Sequence, residues 1–237
     1  EAERERELRA LDFALDSLRA AARERGAFFV RIEPTVAFSE AELKERGLVK
    51  SHDIEPAHTW VIDLTQAEEE ILDGIEKTKV RHWRNHEKKG ITIRTSTDPE
   101  EITILASLLQ KVGERDNFTP QDAKHLKGQM EAGFATLYIA EYEGKAIAAS
   151  LVYDYDGVRY YAHAGADDEY KKLTAGTILL VEMIIDAWRM GAKRFDFWGI
   201  TTSEDPKHPW YGFTQYKKSF GGYEVDYAGR GICQYRR

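Results

Sequence analysis

Cysteine is almost missing from this 237-residue chain: the single Cys233 excludes an internal disulfide, a cysteine-cluster zinc site and a paired-thiol redox motif. No stretch approaches the roughly 18 consecutive apolar residues that a membrane-spanning helix needs. Positive charge is in deficit, with 34 Lys and Arg against 41 Asp and Glu for a net charge of −7. A dedicated nucleic-acid module is ordinarily basic, so any RNA contact must come from a local patch. The opening residues, Glu1 to Arg9, alternate acid and base, unlike a signal peptide. No methionine stands first and a helix pattern begins at once, which predicts that residues are missing from the front. His52, His58, His125 and His163 show no metal-ligand spacing, and no Ser/His/Asp order or nucleophilic cysteine context is visible. What is present, 42% hydrophobic and 11% aromatic residues, suffices for a real core and excludes disorder. The balance predicts a soluble, cytoplasmic protein, with Cys233 a core residue.

Leu8, Leu11, Leu15, Leu18 and Ala22 recur at steps of three and four and predict an amphipathic helix over 3–25, stopped by Gly26. Ala27 to Ile32 and Thr59 to Leu64 read as strands, with a short helix Ser39–Arg46 whose Ser39 and Glu42 form a capping box. Thr65 is the expected cap of a helix running to about Lys89, followed by the strand Ile91–Thr95. Asp98-Pro99 and Thr119-Pro120 start helices over 99–115 and 120–132. The strands Ala135–Glu141, Lys145–Tyr153 and Val158–Ala164 are joined as hairpins through Glu143-Gly144 and Asp156-Gly157. A long apolar helix, 174–190, leads into the strand Arg194–Trp198, a β-α-β step that implies a parallel neighbour. A loop with a short helix, 201–221, and a last strand, 223–234, complete an α/β (α+β) chain. Its closing order is that of a GNAT-like acyltransferase domain, although order alone does not fix function.

Four places carry chemistry. In Lys77 to Lys89, six Lys or Arg and two His lie beside one Glu; on a helix Lys77, Arg81, Arg84 and Lys88 would share a face suited to phosphates. Trp83 is either a base-stacking platform or the core anchor of a solvated helix. Around His208 to Gly222, aromatics including Trp210, Tyr211 and Tyr216 stand among Lys217, Lys218 and paired glycines, a wall on which a lysine could meet a phosphate or an oxyanion. The alternative is a packed connection with lysines reaching solvent. Lys171 and Lys172 precede the long helix, whose N-terminus suits an anion, though an ordinary helix start with exposed lysines explains them as well. Asp196 and Trp198 end a strand where open α/β sheets place ligands; Asp196 could orient an amine or cap the next turn.

The residues of several segments, in order, resemble the Fem/Mur ligase family, the FemX-like (FemABX) aminoacyltransferases of peptidoglycan interpeptide bridges. The segments are Phe28 to Pro34, Gly47 to Ser51 with Thr59 to Leu64, Arg84 to Ile91, Gly165-Ala166 with the helix to Gly191, Asp196 to Ile200, and Tyr216 to Gly222. In this chain Val80 replaces an arginine usual in the family, and His86 an alanine. In coenzyme A-dependent GNAT enzymes the loop before the long helix reads Arg/Gln-x-x-Gly-x-Gly/Ala. Here Lys172-Leu173-Thr174-Ala175-Gly176-Thr177 displaces one glycine and lacks the other.

The resemblance implies two GNAT-like domains: a first one, incomplete at its front, from 1–92 plus 223–237, and a second from 93–222. It implies transfer of an aminoacyl group from aminoacyl-tRNA to the stem-peptide amine of a UDP-MurNAc-pentapeptide or lipid-linked peptidoglycan precursor. No metal or coenzyme is implied. Lys217 is the expected stabiliser of the oxyanion or of a tRNA phosphate, and Asp196 the expected guide of the amine. Lys171 and Lys172 are expected at the precursor diphosphate, and Arg84 and Lys88 at phosphates. Trp210, Tyr211 and Tyr216 complete the expected substrate-binding set. The competing readings are an acyl-CoA-dependent N-acetyltransferase and a non-catalytic module that binds precursor or RNA.

Overall fold

The computed structural model describes residues 2–34, 36, 38–49, 56–116 and 119–226, and the backbone alone of 233–236. The elements in chain order are α1 (Ala2–Glu24), β1 (Phe29–Ile32), α2 (Glu40–Glu45), β2 (His58–Asp63), α3 (Glu68–Gly74), α4 (Lys77–Arg84), β3 (Ile91–Ser96), α5 (Ile102–Asp116) and α6 (Ala123–Glu131). There follow β4 (Ala135–Tyr142), β5 (Lys145–Tyr155), β6 (Val158–Ala166), α7 (Ala175–Arg189), β7 (Arg194–Gly199), α8 (Tyr211–Lys218), β8 (Tyr223–Asp226) and β9 (Cys233–Arg236). The chain divides into two units, Glu1–Thr59 with Val225–Arg237, and Trp60–Glu224. The boundary expected between residues 92 and 93 falls inside β3. Residues 60–92 pack with 93–222, because β3 pairs with β4 from Ile91–Tyr142 to Ser96–Leu137. Lys50, Ser51, His52, residues 227–232 of the expected last strand and the Cys233 side chain lie outside the described residues.

In the first unit the three- and four-residue spacing of α1 buries Leu11 and Leu15 against Phe38, Leu43 and Leu48. Ser39 and Glu42 form the expected capping box at the start of α2. β1 pairs with β9 antiparallel.

The second unit is built on a seven-stranded sheet of order β3-β4-β5-β6-β7-β2-β8. Both expected hairpin turns have positive φ at two successive residues, Glu143-Gly144 and Asp156-Gly157, as tight hairpins of right-twisted strands require. The parallel neighbour of β7 is β6, and α7 is the crossover between them. One face of the sheet packs α3, α4 and α7 around Ile178, Leu179, Met183, Phe195 and Phe197; the other packs α5 and α6 around Leu105, Leu126, Leu137 and Leu151. β6 and β7 pair over Val158–Arg194, Arg159–Phe195 and Tyr160–Asp196, after which both strands continue without pairing to each other.

Three expected helix boundaries are corrected. Thr65 caps nothing; its N–H and hydroxyl bond to Asp63, and the cap of α3 is Ala67, whose N–H donates to Glu70. α6 starts at Ala123 with Asp122 as cap, since Asp122 accepts from the His125 N–H at 2.6 Å. The single helix expected to reach Lys89 is two helices and a 3-10 turn, Glu87–Lys89. The break is tertiary: Ile75 is extended (ψ 141°) and 1% exposed, and the Glu76 N–H donates to the Ser219 carbonyl at 3.1 Å.

That same corner needs glycine. Gly222 has φ 94°, and a Cβ there would lie 2.3 Å from the Val61 carbonyl oxygen. Gly222→Ala is therefore expected to destabilise the protein by about 2–4 kcal/mol, read from urea unfolding, through backbone strain and overpacking. A loss below about 0.5 kcal/mol would show that the corner can move aside.

Candidate active site

β7 ends where the backbone of Trp198 turns left-handed (φ 67°), a conformation rare for a bulky L residue. Asp196, 5% exposed, accepts the Trp198 N–H on Oδ1 at 2.7 Å and so caps its own strand end. Gly199 follows, and its carbonyl accepts a hydrogen bond from Lys217 Nζ at 2.6 Å. Lys217 lies in the last turn of α8 and is 1% exposed, its amine 3.8 Å from the ring centre of Phe213 one turn earlier. Burial pushes the Lys217 amine down to about 7, against the opposing pull of the Asp196 carboxylate. Buried Thr214 accepts the Thr201 N–H at 3.0 Å and ties the loop after β7 to α8. The fold thus brings Lys217 and Asp196 together. The turn role is the second of the two readings that the sequence offers for Asp196; what the sequence does not suggest is that the amine is poised near neutrality instead of fully charged.

A second group surrounds the N-terminus of α7. Thr174, left-handed at φ 57°, places its hydroxyl 2.9 Å from His82 Nδ1, which joins α4 to the start of α7. Burial, then the charges of Lys89 and Arg81, hold the His82 pKa below its ordinary value. One turn into α7, the Thr177 hydroxyl meets Tyr216 OH at 3.3 Å. Lys79 Nζ lies 6.0 Å from the Tyr216 ring centre and 5.3 Å from that of Phe220, and also pairs with Glu76. Lys171 and Lys172 are exposed in the 3-10 turn Asp168–Leu173 that enters α7. Tyr216, Lys171 and Lys172 therefore gather at this helix start, Tyr216 on a different side of α8 from the Lys217 amine.

The other expected residues are placed elsewhere. Arg84 ends α4 on its exposed side with Lys77 and Arg81, opposite the side that carries His82 and Trp83 toward α7 and Lys79 toward the rings of Tyr216 and Phe220. Lys88 is exposed but in the 3-10 turn, so the four-residue cationic helix face is shortened to Lys77, Arg81 and Arg84. Trp83 is an anchor: its ring packs on the core and its Nε1–H donates to Glu182 of α7 at 2.5 Å, which removes it as a stacking platform. Trp210, 44% exposed, precedes α8 on the face that also carries Phe213 and Lys217, whereas Tyr211 lies off that face. Sequence reading misses Phe213, His82 and Lys79. Phe213 stands four residues before Lys217, a spacing that already places the two on one helix face. Among the described residues no group of three His, Cys, Asp or Glu could hold a metal ion, and no helix is long and apolar enough to cross a membrane.

The chain is similar to one described family, one curated relative and two solved structures. Residues 77–218, which run from α4 to the end of α8 and contain Lys217, Asp196, His82, Thr174 and Tyr216, match the family described as the acetyltransferase (GNAT) domain. Over 155 residues the chain is 27% identical to the lipid II:glycine glycyltransferase of Staphylococcus aureus, covering 57% of this chain and 36% of that protein. The chain thus spans about a third of the length of the curated relatives it matches. The crystal structure of FemX superposes with a TM-score of 0.77 at 20% identity, covering 97% of this chain and 77% of that one. The structure of L-PGS from Bacillus licheniformis gives a TM-score of 0.57 at 13% identity, over 94% and 72% of the two chains. With its open sheet, its crossover helix and its match over α4 to α8, the chain belongs to the family described as the acetyltransferase (GNAT) domain, and its fold is that of FemX.

Proposed function

We propose that this chain belongs to an enzyme that moves an amino acid from aminoacyl-tRNA to the stem-peptide amine of a peptidoglycan precursor. The observation that carries the reading is Lys217, an amine buried at the C-terminal end of β7 in a GNAT-type frame, where acyl groups change hands. The glycine transfer named for the staphylococcal relatives supports this class of reaction. An aminoacyl ester is already activated, so the protein has to position it, move a proton and stabilise charge. The exposed Lys77, Arg81 and Arg84 face of α4 suits RNA or precursor phosphates, and Lys171 with Lys172 suits a diphosphate near the start of α7.

A coenzyme A donor is disfavoured by the first turn of α7, where Thr177 replaces the second glycine and its hydroxyl is bonded to Tyr216. The test offers the protein a UDP-linked muramyl pentapeptide with either charged tRNAs or acetyl-CoA and weighs the peptide. A gain of one amino-acid mass with tRNA alone is the expected result. A gain of an acetyl mass would replace the reading with an ordinary acetyltransferase, and no gain with either would favour a binding module.

A further inference from the structure

The Lys217 amine has an unusual set of neighbours. An ammonium offers three N–H donors, whereas a neutral amine offers two and keeps a lone pair. Among the described residues the oxygen bonded to Lys217 Nζ is that of Gly199, at 2.6 Å, and its other close neighbour is the face of Phe213. Both neighbours can take an N–H and the ring face also attracts the charged form, so it is burial that draws the amine toward its neutral state. The titratable groups on the surrounding elements turn elsewhere. Tyr216 bonds Thr177, Lys218 lies 5.2 Å from the Trp60 ring centre, Lys79 pairs with Glu76, and His208 accepts from the Trp210 N–H. Asp196 remains as the charge that acts on Lys217.

The Gly199 carbonyl meets the amine because of how β7 ends. The left-handed turn at Trp198 redirects the chain, Asp196 fixes the turn from one side, and the Thr201–Thr214 bond fixes it from the other. A bulky residue keeps such a backbone conformation only where its surroundings over-determine it. Resting on the aminoacyl-transfer reading, we propose that Asp196, Trp198 and Gly199 form a positioning turn that holds Lys217 as the proton carrier of the transfer step, with Phe213 as its cover.

In that step the acceptor nitrogen attacks the ester carbonyl carbon and a C–N bond forms. The proton leaving that nitrogen passes to Lys217 Nζ. As the C–O bond to the donor ribose breaks, Lys217 returns the proton to the departing oxygen, so the lysine ends as it began. Phe213, 48% exposed, separates the amine from solvent and is the side chain that an arriving substrate displaces.

The test reads the amine itself. In protein carrying ¹³C-labelled lysine, the Cε signal of Lys217, assigned by its loss in Lys217→Met, is titrated from about pH 5 to 11. A midpoint near 7 is expected, and Asp196→Asn, which keeps an acceptor for the Trp198 N–H but removes the charge, should lower it. The acid limb of the kcat/KM profile should move with it. Trp198→Gly suits the left-handed backbone and should keep the wild-type midpoint, while Trp198→Val should lose it. A midpoint near that of an ordinary lysine, or one that ignores Asp196→Asn, overturns the proposal. A near-neutral, Asp196-dependent midpoint in protein that transfers nothing from charged tRNA would uphold the positioning turn and remove the aminoacyl reading. An ordinary midpoint in protein that does transfer would do the reverse.

Discussion

Lys217→Met is expected to abolish transfer and, at neutral pH, to make the protein more stable. The loss of activity should be about 10²- to 10⁴-fold, the usual contribution of a positioned proton-transfer group. The gain in stability has the same origin. Folding takes the amine from water into a site that is 1% exposed and lowers its pKa to about 7, from roughly 10.4 in the unfolded chain. Below pH 7 both states carry the proton and the full burial penalty is present, on the order of a few kcal/mol. Between about 7 and 10.4 the unfolded chain binds the proton and the folded one does not, so the stability of the wild type rises with pH. Methionine has no proton to lose and similar bulk, so the variant lacks that rise. Urea midpoints measured from about pH 6 to 9 check it. Parallel slopes for the two proteins would show that the amine is ordinary.

Arg159→Leu should cause the largest loss of stability among charged substitutions, about 3 kcal/mol. Arg159 is 1% exposed on β6, held by both oxygens of Asp154 at 2.8 Å, by Asp186 at 2.9 Å and by Tyr138 OH at 2.7 Å. Burial opposes its charge, but these partners more than offset it and the guanidinium pKa is raised. Removing the arginine leaves two half-buried carboxylates facing each other's field across β5 and α7. Adding Asp154→Asn and Asp186→Asn to Arg159→Leu should therefore recover part of the loss, because the damage comes from unpaired charge more than from missing attraction. If the triple variant is no better than the single one, packing around the arginine is what matters. The check is again denaturant unfolding.

The sequence shows those features that are written in short-range chemistry. The capping box at Ser39 and Glu42, the two hairpin turns and the apolar crossover helix with its parallel partner depend on neighbours within a few residues or on simple periodicity. The break between α3 and α4 does not, for it is set by Ser219, more than a hundred residues downstream, receiving the Glu76 N–H. The cationic run 77–89 is visible as composition, but composition cannot say that Trp83 and His82 are used up against α7 while Arg84 points away. At the candidate site, Lys217 is legible as an anomaly among aromatics. Its burial is not, because the group that receives its hydrogen bond is a backbone carbonyl, which leaves no mark in a sequence. Trp198 is opaque for a related reason: nothing in the residue type foretells a left-handed backbone that the loop and α8 impose.

The pairing of β1 with β9 matches Phe29 with Arg236 and Ile32 with Cys233, partners about two hundred positions apart in the sequence. During synthesis the first unit cannot close this sheet until β9 has left the ribosome, whereas Trp60–Glu224 is continuous and is made before it. Until then β1 waits with an unpaired edge while the larger unit folds, and such edges recruit other chains. Removal of Cys233–Arg236 would make that interim state permanent, turning the loss of one short strand into an aggregation hazard at another.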